Sequence, residues 1–532
     1  MRWLSRARAV VWPEPSDPKE RSLLRKADLL ILPYLCLNFC FNYLDRVNFI
    51  NAYVSGLRED LRMDGNEYNN VIACFTAGFA IAQIPQNLLL LVVPPRYLFP
   101  INGVLWGALT MLGAAATKAE HLYVIKFFQG AAESSTFIGA VRAAFASHAQ
   151  YIMGSWYKPS ELGKRSAIFA CSAQVANIFS GSLQSVLYRD LDGVHGIRGW
   201  QWQFLVCGAA TIPVAAAGVF LFPDTPTKTR SRLFTPDERE LAVSRLPPRQ
   251  KTKLDRTLFR RVLLRWEFWL LSLIWICGGA LESFPAWGVM SVWMKFQRTA
   301  QGLPLYTVDQ LNHYPMGLPA VAITALLVAA VWTDYRTRDR FAVNLVVAAT
   351  ALVSGTLVLF GGLNPGKLPR GAFYTAFYLS GISFAGQMSN FSWANELMAR
   401  DEEARSLVLA SMNVMGYAFN AWFQVVFFRV SSAPAYTQGS SLVIAFAPIM
   451  CILTCAARYC QVRDQRRGLV VDSPDPTAEL VDADGKHRPG TGTTDAAISD
   501  DEKEAVLKID PSEDCQKAES VASGAAREGK SS

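Results

Sequence analysis

Two adjacent charged residues, Asp45 and Arg46, lie inside an apolar segment that runs from Leu29 to Val54. About 20 predominantly apolar residues are enough to cross a bilayer as a helix, and a charged side chain near the centre costs about 2.5 to 3.5 kcal/mol on insertion scales. At about 100° per residue, Asn38 and Asn42 fall on the same face of the helix as this pair. The pattern therefore predicts a polar stripe that faces protein or a water-filled cavity.

The chemistry that this stripe offers is the binding of an anion. A guanidinium group stays protonated and presents a planar fork that binds a carboxylate through two hydrogen bonds. We therefore predict that Arg46 holds a substrate carboxylate and that Asn42 contributes to the same site. The alternative is that Asp45 and Arg46 form a structural salt bridge or part of a hydrogen-bonded seam between helices.

Carboxyl groups within predicted membrane spans are the candidates for proton coupling. Besides Asp45, these are Glu133 in the segment FFQGAAESSTF and Glu282 in the segment GGALESFPAWG. Ionisable residues inside membrane spans are costly to place there and often mark a proton or ion pathway. The alternatives are that Asp45 is only the partner of Arg46, that Glu133 permanently neutralises a cation, and that Glu282 makes a local hydrogen bond.

Amide and aromatic residues recur in the second half of the chain. Asn413 and Asn420 are seven residues apart, which places both on one helical face. Such a face can line a cavity, but amide side chains also join helices, at about 0.6 kcal/mol each, and aromatic residues at span ends are common anchors. The predicted substrate-binding residues of this half are Asn390, Asn413, Asn420, Trp422 and His313.

Membrane-spanning helices must position these side chains. The chain has 532 residues, of which 51% are hydrophobic and 18% charged, and this composition suits a polytopic membrane protein. Six long apolar segments precede a polar central segment, and six more follow it. The predicted fold class is therefore an all-α polytopic membrane protein with twelve transmembrane helices in two six-helix halves.

The predicted organisation has five parts: a cytoplasmic N-terminal segment (1–28), a first six-helix half (29–222), a cytoplasmic central loop (223–266), a second six-helix half (267–460) and a disordered cytoplasmic tail (461–532). Lys and Arg are concentrated in the N-terminal segment, the central loop and alternate short loops, so both termini are predicted to be cytoplasmic. In the central loop, Thr235, Pro236 and Glu238 match a capping box and predict a short helix.

The sequence predicts neither an enzyme nor a cofactor. No arrangement of nucleophile and base is recognisable, and the cysteines of the apolar segments lack metal-ligand spacing. The net charge of +8 comes from basic residues in the predicted cytoplasmic loops, so it does not indicate a nucleic-acid partner. The predicted partners are a small organic anion, a proton and the lipid bilayer, and the protein is predicted to act as a monomer driven by a proton gradient.

Several stretches resemble those of a known transporter family. They are NYLDRVNFINA, GSWYKPSELGKRSAIF, FPDTPTKTRSRLFTPDERELA, QLNHYPMG and SWANELMARDEEARSLVLASMNVMGYAFNAW. From Leu29 to Gln461 the chain resembles the major facilitator superfamily. Within that superfamily it is similar to the fungal anion:cation symporters, the allantoate and pantothenate permease group, and more closely to the pantothenate branch.

The resemblance implies the major facilitator fold and adds roles for particular residues. The stretch VWTDYRTRDRF is similar to a loop of the superfamily, which implies that Asp334 and Arg338 are gating residues. Related anion porters carry an acidic residue at a position comparable to Glu133, which favours proton coupling there. The loop VVPPRYLFP, between the second and third spans, departs from the pattern of the superfamily.

The predicted function is secondary active transport. We expect a proton symporter of the plasma membrane that imports a small organic anion, with a pantothenate-like carboxylate as its substrate. One alternative is an exporter of a secondary metabolite, because a fold alone does not fix the direction of transport. Another is a nutrient receptor that signals without net transport and binds a partner through the C-terminal tail.

Overall fold

The computed structural model describes residues 17–137, 153, 156–221, 226, 229, 234–245, 256–286, 288–335, 340–398 and 401–467. Within these ranges the chain is helical and contains no β-strand; a single isolated bridge joins Arg298 and Pro304. The predicted N-terminal segment up to residue 16 and the tail from residue 468 lie outside the described residues.

The first half contains six long helices: α1 (Pro18–Asp60), α2 (Glu67–Val92), α3 (Pro95–Gly113), α4 (Ala119–Phe137), α5 (Pro159–Leu191) and α6 (Gly199–Leu221). The second half contains α7 (266–295), α8 (308–335), α9 (Arg340–Leu363), α10 (370–397), α11 (Glu402–Phe427) and α12 (Thr437–Arg466). Between the halves lie two short helices, Pro236–Ser244 and Arg256–Leu263.

Four of the long helices change geometry along their length. The α-helical part of α1 ends at Ala52 and continues through a π-helix, Tyr53–Leu57. Helix α7 is built from Trp266–Leu281, Ser283–Ala286 and Val289–Lys295, and α8 and α10 each contain a 3₁₀ segment, Tyr314–Met316 and Gly381–Phe384 respectively. Interruptions of this kind in membrane helices are tolerated where the backbone faces protein or a cavity.

Six helices of the described ranges are long and apolar enough to cross a membrane by length and composition: α1, α5, α6, α8, α9 and α12. Four of the six remaining spans have features that lower such a measure. Helix α4 carries Glu120, Lys126 and Glu133, α7 and α10 are interrupted, and α11 is rich in amide side chains. The charged side chains of α4 and the amide side chains of α11 belong to helices that line the cavity described below.

The two halves repeat one packing pattern. Helix α1 packs on α5 and α6, α2 on α4, and α3 on α4 and α6. In the second half α7 packs on α11 and α12, α8 on α10, and α9 on α10 and α12, which is the same pattern shifted by six helices. The halves meet where α5 contacts α8 and where α2 contacts α11. Such structural repeats with a site between them are typical of secondary transporters.

We name the two ends of the bundle by the predicted topology. The predicted cytoplasmic end carries the start of α1 and the central loop, and the predicted outer end carries residues 60–67. At the predicted cytoplasmic end the short helix Pro236–Ser244 packs on α1, and Lys26 binds Glu238 at 2.7 Å. The predicted capping box is confirmed, because Thr235 accepts a hydrogen bond from the Glu238 N–H and Glu238 accepts one from the Thr235 N–H.

Close backbone approach holds α4 against α2. A β-carbon at Gly130 would collide with the carbonyl oxygen of Phe75, and one at Gly78 would collide with that of Phe127. Small residues at such crossings let membrane helices pack closely. The packing places the inward face of α4, with Lys126 and Glu133, next to α1.

A buried amide network fixes α1 against α5 and α6. Asn48 Oδ1 accepts hydrogen bonds from Ser180 Oγ at 3.3 Å and from Gln203 Nε2 at 3.0 Å. Asn51 Nδ2 donates to the same Ser180 hydroxyl at 2.8 Å. Because these hydrogen bonds form only in one relative position of the three helices, they set the rotation of α1. That rotation decides which of its polar residues face the space between the halves.

Candidate functional site

A cavity of about 250 Å³ lies between the two halves. Helices α1, α2, α4 and α5 line it from the first half, and all six helices of the second half, α7 to α12, line it from the other side. A cavity enclosed by both repeats and furnished with a few polar groups is the expected form of a small-molecule site in a transporter.

Arg46 is the central cation of the wall formed by the first half. Its Nη2 lies 3.3 Å from Glu133 Oε2, and the rings of Tyr43, Phe75 and Phe79 lie 4.8, 4.9 and 5.4 Å from the guanidinium carbon. Its Nε is buried and has no hydrogen-bond partner among the described residues. The guanidinium therefore lies against aromatic faces and one carboxylate at the wall of the cavity.

Glu133 lies behind Arg46 and is fully buried. Both of its carboxylate oxygens are engaged, since Oε1 accepts from Gln129 Nε2 at 2.9 Å while Oε2 faces Arg46. Gln129 lies one turn earlier on α4 and fixes the carboxylate in place. Glu133 is therefore a carboxylate that contacts Arg46 directly and is shielded from water.

Lys126 is a second cation of the same wall, and the sequence analysis overlooked it. Its side chain lines the cavity, yet the residue is only 4% exposed. Its Nζ lies 3.4 Å from the Asp45 carbonyl oxygen and makes no salt bridge with a described residue, and the rings of Phe204 and Phe49 lie 5.6 and 6.0 Å away. Lys126 could have been identified from the sequence, because a lysine two turns before Glu133 lies on the same face of the helix as Glu133.

Asp45 and Asn42 face the interior of the first half and do not line the cavity. Asp45 is fully buried, and its Oδ2 accepts a hydrogen bond from Thr211 Oγ1 of α6 at 2.8 Å. Asn42 is 1% exposed, and its two side-chain polar atoms have no hydrogen-bond partner among the described residues. The polar stripe of α1 thus faces protein along most of its length, and Arg46 is the member that reaches the cavity.

The polar side chains of the wall formed by the second half are mainly amides, and they surround one carboxylate. Glu282 lies where the first section of α7 ends, and its Oε2 accepts a hydrogen bond from Gln387 Nε2 at 2.8 Å. Gln387 was not singled out from the sequence. The predicted residues Asn390, Asn413 and Asn420 also line the cavity.

Two of these amides are held by neighbouring groups. Asn390 Oδ1 accepts from Asn344 Nδ2 at 2.7 Å. Asn420 packs against Gly279, where a β-carbon would lie 2.9 Å from Asn420 Nδ2, while Asn420 Oδ1 is buried without a partner among the described residues. This wall therefore offers directed donors and acceptors for a neutral polar group.

Other predicted site residues lie elsewhere. Trp422 is 49% exposed and does not line the cavity. His313 lies at the predicted outer end, where its Nδ1 is 3.0 Å from Ser185 Oγ and 3.1 Å from Asp309 Oδ1. Asp334 lies in the last turn of α8, and Arg338 lies outside the described residues.

The sequence model of the Major Facilitator Superfamily matches residues 35–423 of the chain. The chain belongs to the major facilitator superfamily. The pantothenate transporter FEN2 of Saccharomyces cerevisiae is 36% identical to it over 456 residues, which cover 84% of this chain and 85% of that protein. The pantothenate transporter liz1 of Schizosaccharomyces pombe is 34% identical over 449 residues, 84% of each chain.

The fold agrees with this assignment to the major facilitator superfamily. The crystal structure of a bacterial homologue of the human lysosomal transporter Spinster matches with a TM-score of 0.55 at 15% identity, covering 86% of this chain and all of that chain. The predicted major facilitator fold and the resemblance to the pantothenate branch are confirmed. The chain is therefore a multi-pass membrane transporter.

Proposed function

We propose that the protein imports a small organic anion together with a proton and that a pantothenate-like carboxylate is its substrate. The observation that carries the proposal is the contact between Arg46 and Glu133 at the wall of the cavity. A guanidinium that lines the cavity fits a substrate carboxylate, and the names of the two relatives supply the candidate.

Competition for Arg46 couples the anion to the proton. In the empty site the Glu133 carboxylate neutralises the guanidinium. When Glu133 takes up a proton it loses its charge, so the guanidinium can pair with the substrate carboxylate instead. Anion and proton then occupy the site together, and the loaded site has the same net charge as the empty one.

Lys126 adds a second positive charge beside the same binding position. It lines the cavity and makes no salt bridge with a described residue, so its charge adds to that of Arg46 in attracting a carboxylate. Removing charge from water is costly unless it is paired, and the pairing therefore favours an anion over a neutral solute. Two other carboxyl groups are candidate proton carriers. Asp45 faces the interior of the first half, and Glu282 lies in the opposite wall of the cavity.

The amide wall binds the rest of the substrate. Pantothenate carries hydroxyl and amide groups several bonds away from its carboxylate, and Gln387, Asn390, Asn413 and Asn420 offer complementary donors and acceptors. A substrate held by Arg46 at one end and by this wall at the other contacts both halves. Binding then favours the conformation in which the halves are close, as alternating access requires.

The remaining expectations complete the proposal. We propose that the transporter acts as a monomer in the plasma membrane with both termini cytoplasmic, and that Asp334 and Arg338 gate the predicted cytoplasmic end. The two halves, 29–222 and 267–460, would move as units about the cavity.

Uptake into proteoliposomes tests the proposed function. Purified protein is reconstituted, labelled pantothenate is added outside, and the outer solution is either acidified or kept at the inner pH; protein-free liposomes are the control. We expect acidification to raise uptake and to concentrate pantothenate inside. Equal uptake with and without the gradient would refute proton coupling, and no movement of pantothenate in either direction would refute the substrate assignment.

A further inference from the structure

At the predicted outer end, side chains of each half bind backbone groups of the other half. Asn69 of α2 and Lys295 of α7 make most of these contacts. Asn69 is 4% exposed, and the Lys295 side chain is 9% exposed. Neither residue lines the cavity, so the proposed substrate site gives no reason for their burial.

Asn69 binds the end of α11. Its Nδ2 donates to the carbonyl oxygens of Phe428 at 2.9 Å and Gln424 at 3.4 Å, and its Oδ1 accepts from the Val430 N–H at 3.0 Å. Helix α11 ends at Phe427, and the last turn of a helix leaves carbonyl groups without intrahelical partners. Asn69 thus caps a helix of the opposite half, with its amide nitrogen as the donor and its amide oxygen as the acceptor.

Lys295, which belongs to the second half, binds backbone groups of the first half. Its Nζ donates to the carbonyl oxygens of Tyr53 at 3.0 Å and Val54 at 3.2 Å, and it pairs with the Glu59 carboxylate at 3.0 Å. These carbonyls belong to the π-helical part of α1, within which Gly56 has φ +119°. A side chain from the end of α7 therefore caps the irregular part of α1.

Two neighbouring contacts hold the same segment of α1. Asn312 Nδ2, near the start of α8, donates to Ser55 Oγ at 3.0 Å. Gly288 of α7 has φ +66° and lies so close to Ile50 that a β-carbon at this position would collide with the Ile50 side chain. The end of α1 is thus fitted to the second half by backbone shape as well as by hydrogen bonds.

We propose that Asn69 and Lys295 form a reciprocal latch, in which each half caps an irregular helix end of the other, and that the latch opens whenever the cavity opens at this end. Water replaces every one of these hydrogen bonds when the halves separate, so the net preference for the closed arrangement is modest and reversible. The latch then sets the ratio of closed to open protein, independently of the substrate.

Distances between two spin labels measure this ratio directly. The labels are placed at Asp64→Cys and Gln438→Cys, both exposed positions on opposite halves at the predicted outer end, in a background whose native cysteines are replaced. Asn69→Asp puts a carboxylate oxygen against the carbonyl oxygens of α11, and we expect it to raise the open-to-closed ratio about tenfold. Lys295→Met keeps the length of the side chain but removes its donors, and we expect a rise of about threefold.

Matched controls separate the latch from general effects of charge. Asn70→Asp introduces the same charge at the exposed neighbouring position, and Lys118→Met removes an exposed lysine at the same end; both should leave the ratio unchanged. If Asn69→Asp does not purify as a monodisperse protein, Asn69→Ser takes its place and should raise the ratio by about threefold.

Equal ratios in the latch variants and in their controls would overturn the proposal. The measurement needs no substrate, so it is independent of the proposed function. A protein that fails to move pantothenate can still show the latch, and a protein without the latch can still transport pantothenate.

Discussion

The two walls of the cavity are built from different chemistry. The first half presents Arg46 and Lys126, with Glu133 directly behind. The second half presents Glu282, bound to an amide, among further amide side chains. Although the two halves repeat the same helix packing, the repeat does not extend to their functional groups.

This difference suggests a division of labour. Hydrogen bonds to charged groups contribute about 1.5 to 3 kcal/mol, and neutral ones contribute about 0.5 to 1.5 kcal/mol, so the charged wall should dominate affinity. Amides are directional and cannot change charge, so the amides of the second wall should discriminate among anions without coupling them to protons. Substitutions on the two walls should therefore differ in size and in kind.

The largest effect is expected at Arg46. Arg46→Ala removes the cation and leaves Glu133 buried without its partner, so we expect proton-driven uptake to fall about 100-fold or more. Initial rates of labelled pantothenate uptake in proteoliposomes measure this loss. Arg429→Ala, at an exposed arginine of the predicted outer end, is the control and should retain uptake. Normal uptake by Arg46→Ala would show that transport does not require the charged wall.

A smaller effect is expected at Lys126. Lys126→Met preserves the length of the side chain and deletes one positive charge, so we expect the KM for the anion to rise about tenfold or more with proton coupling intact. Lys126→Arg, which keeps the charge, should restore much of the affinity. A KM unchanged by Lys126→Met would show that the lysine only supports the packing of α4.

The second wall should change selectivity more than rate. Gln387→Ala removes the amide that binds Glu282, and we expect the KM for pantothenate to rise about three- to tenfold. The KM for a simple aliphatic monocarboxylate, which has no hydroxyl or amide group, should stay within about twofold. Competition between the two anions measures this ratio. An equal loss for both anions would contradict the division of labour.

The smallest effect is expected at Trp422. This residue was predicted to bind substrate, yet it is 49% exposed and lies away from the cavity. Surface substitutions away from special features change stability by about 0.5 kcal/mol or less, so Trp422→Ala should transport within about twofold of the wild type. A selective loss of pantothenate uptake would extend the second wall beyond the cavity described above.

Residues whose charge or amide group is unusual within an apolar span can be recognised from the sequence alone. Arg46, Glu282 and Asn420 line the cavity as expected because such groups are rarely turned towards lipid. Lys126 could have been found by the same reasoning, since it shares a helical face with Glu133. The twelve helical segments followed from apolar length, which is a local property.

Other features depend on contacts that a sequence does not display. Neighbouring residues on a helix differ in direction by about 100°, so the pattern could not tell that Arg46 reaches the cavity while Asp45 faces Thr211. Gln387 lies just after the 3₁₀ segment of α10. The periodicity of the sequence did not indicate where that segment lies. The bond from Asn69 to the end of α11 joins residues 355 positions apart.

In the proposed mechanism, proton uptake by Glu133 frees Arg46 for the anion. Glu133→Gln isolates this step, because glutamine resembles the protonated carboxyl group but cannot release a proton. In one set of proteoliposomes, pantothenate exchange without a gradient is measured beside accumulation driven by outside acidification.

We predict that Glu133→Gln exchanges pantothenate within about threefold of the wild-type rate. The wild-type protein should accumulate pantothenate under the gradient, while Glu133→Gln should accumulate none and show no response to outside pH. Gradient-driven accumulation by Glu133→Gln would contradict this mechanism and would indicate that Asp45 or Glu282 carries the proton.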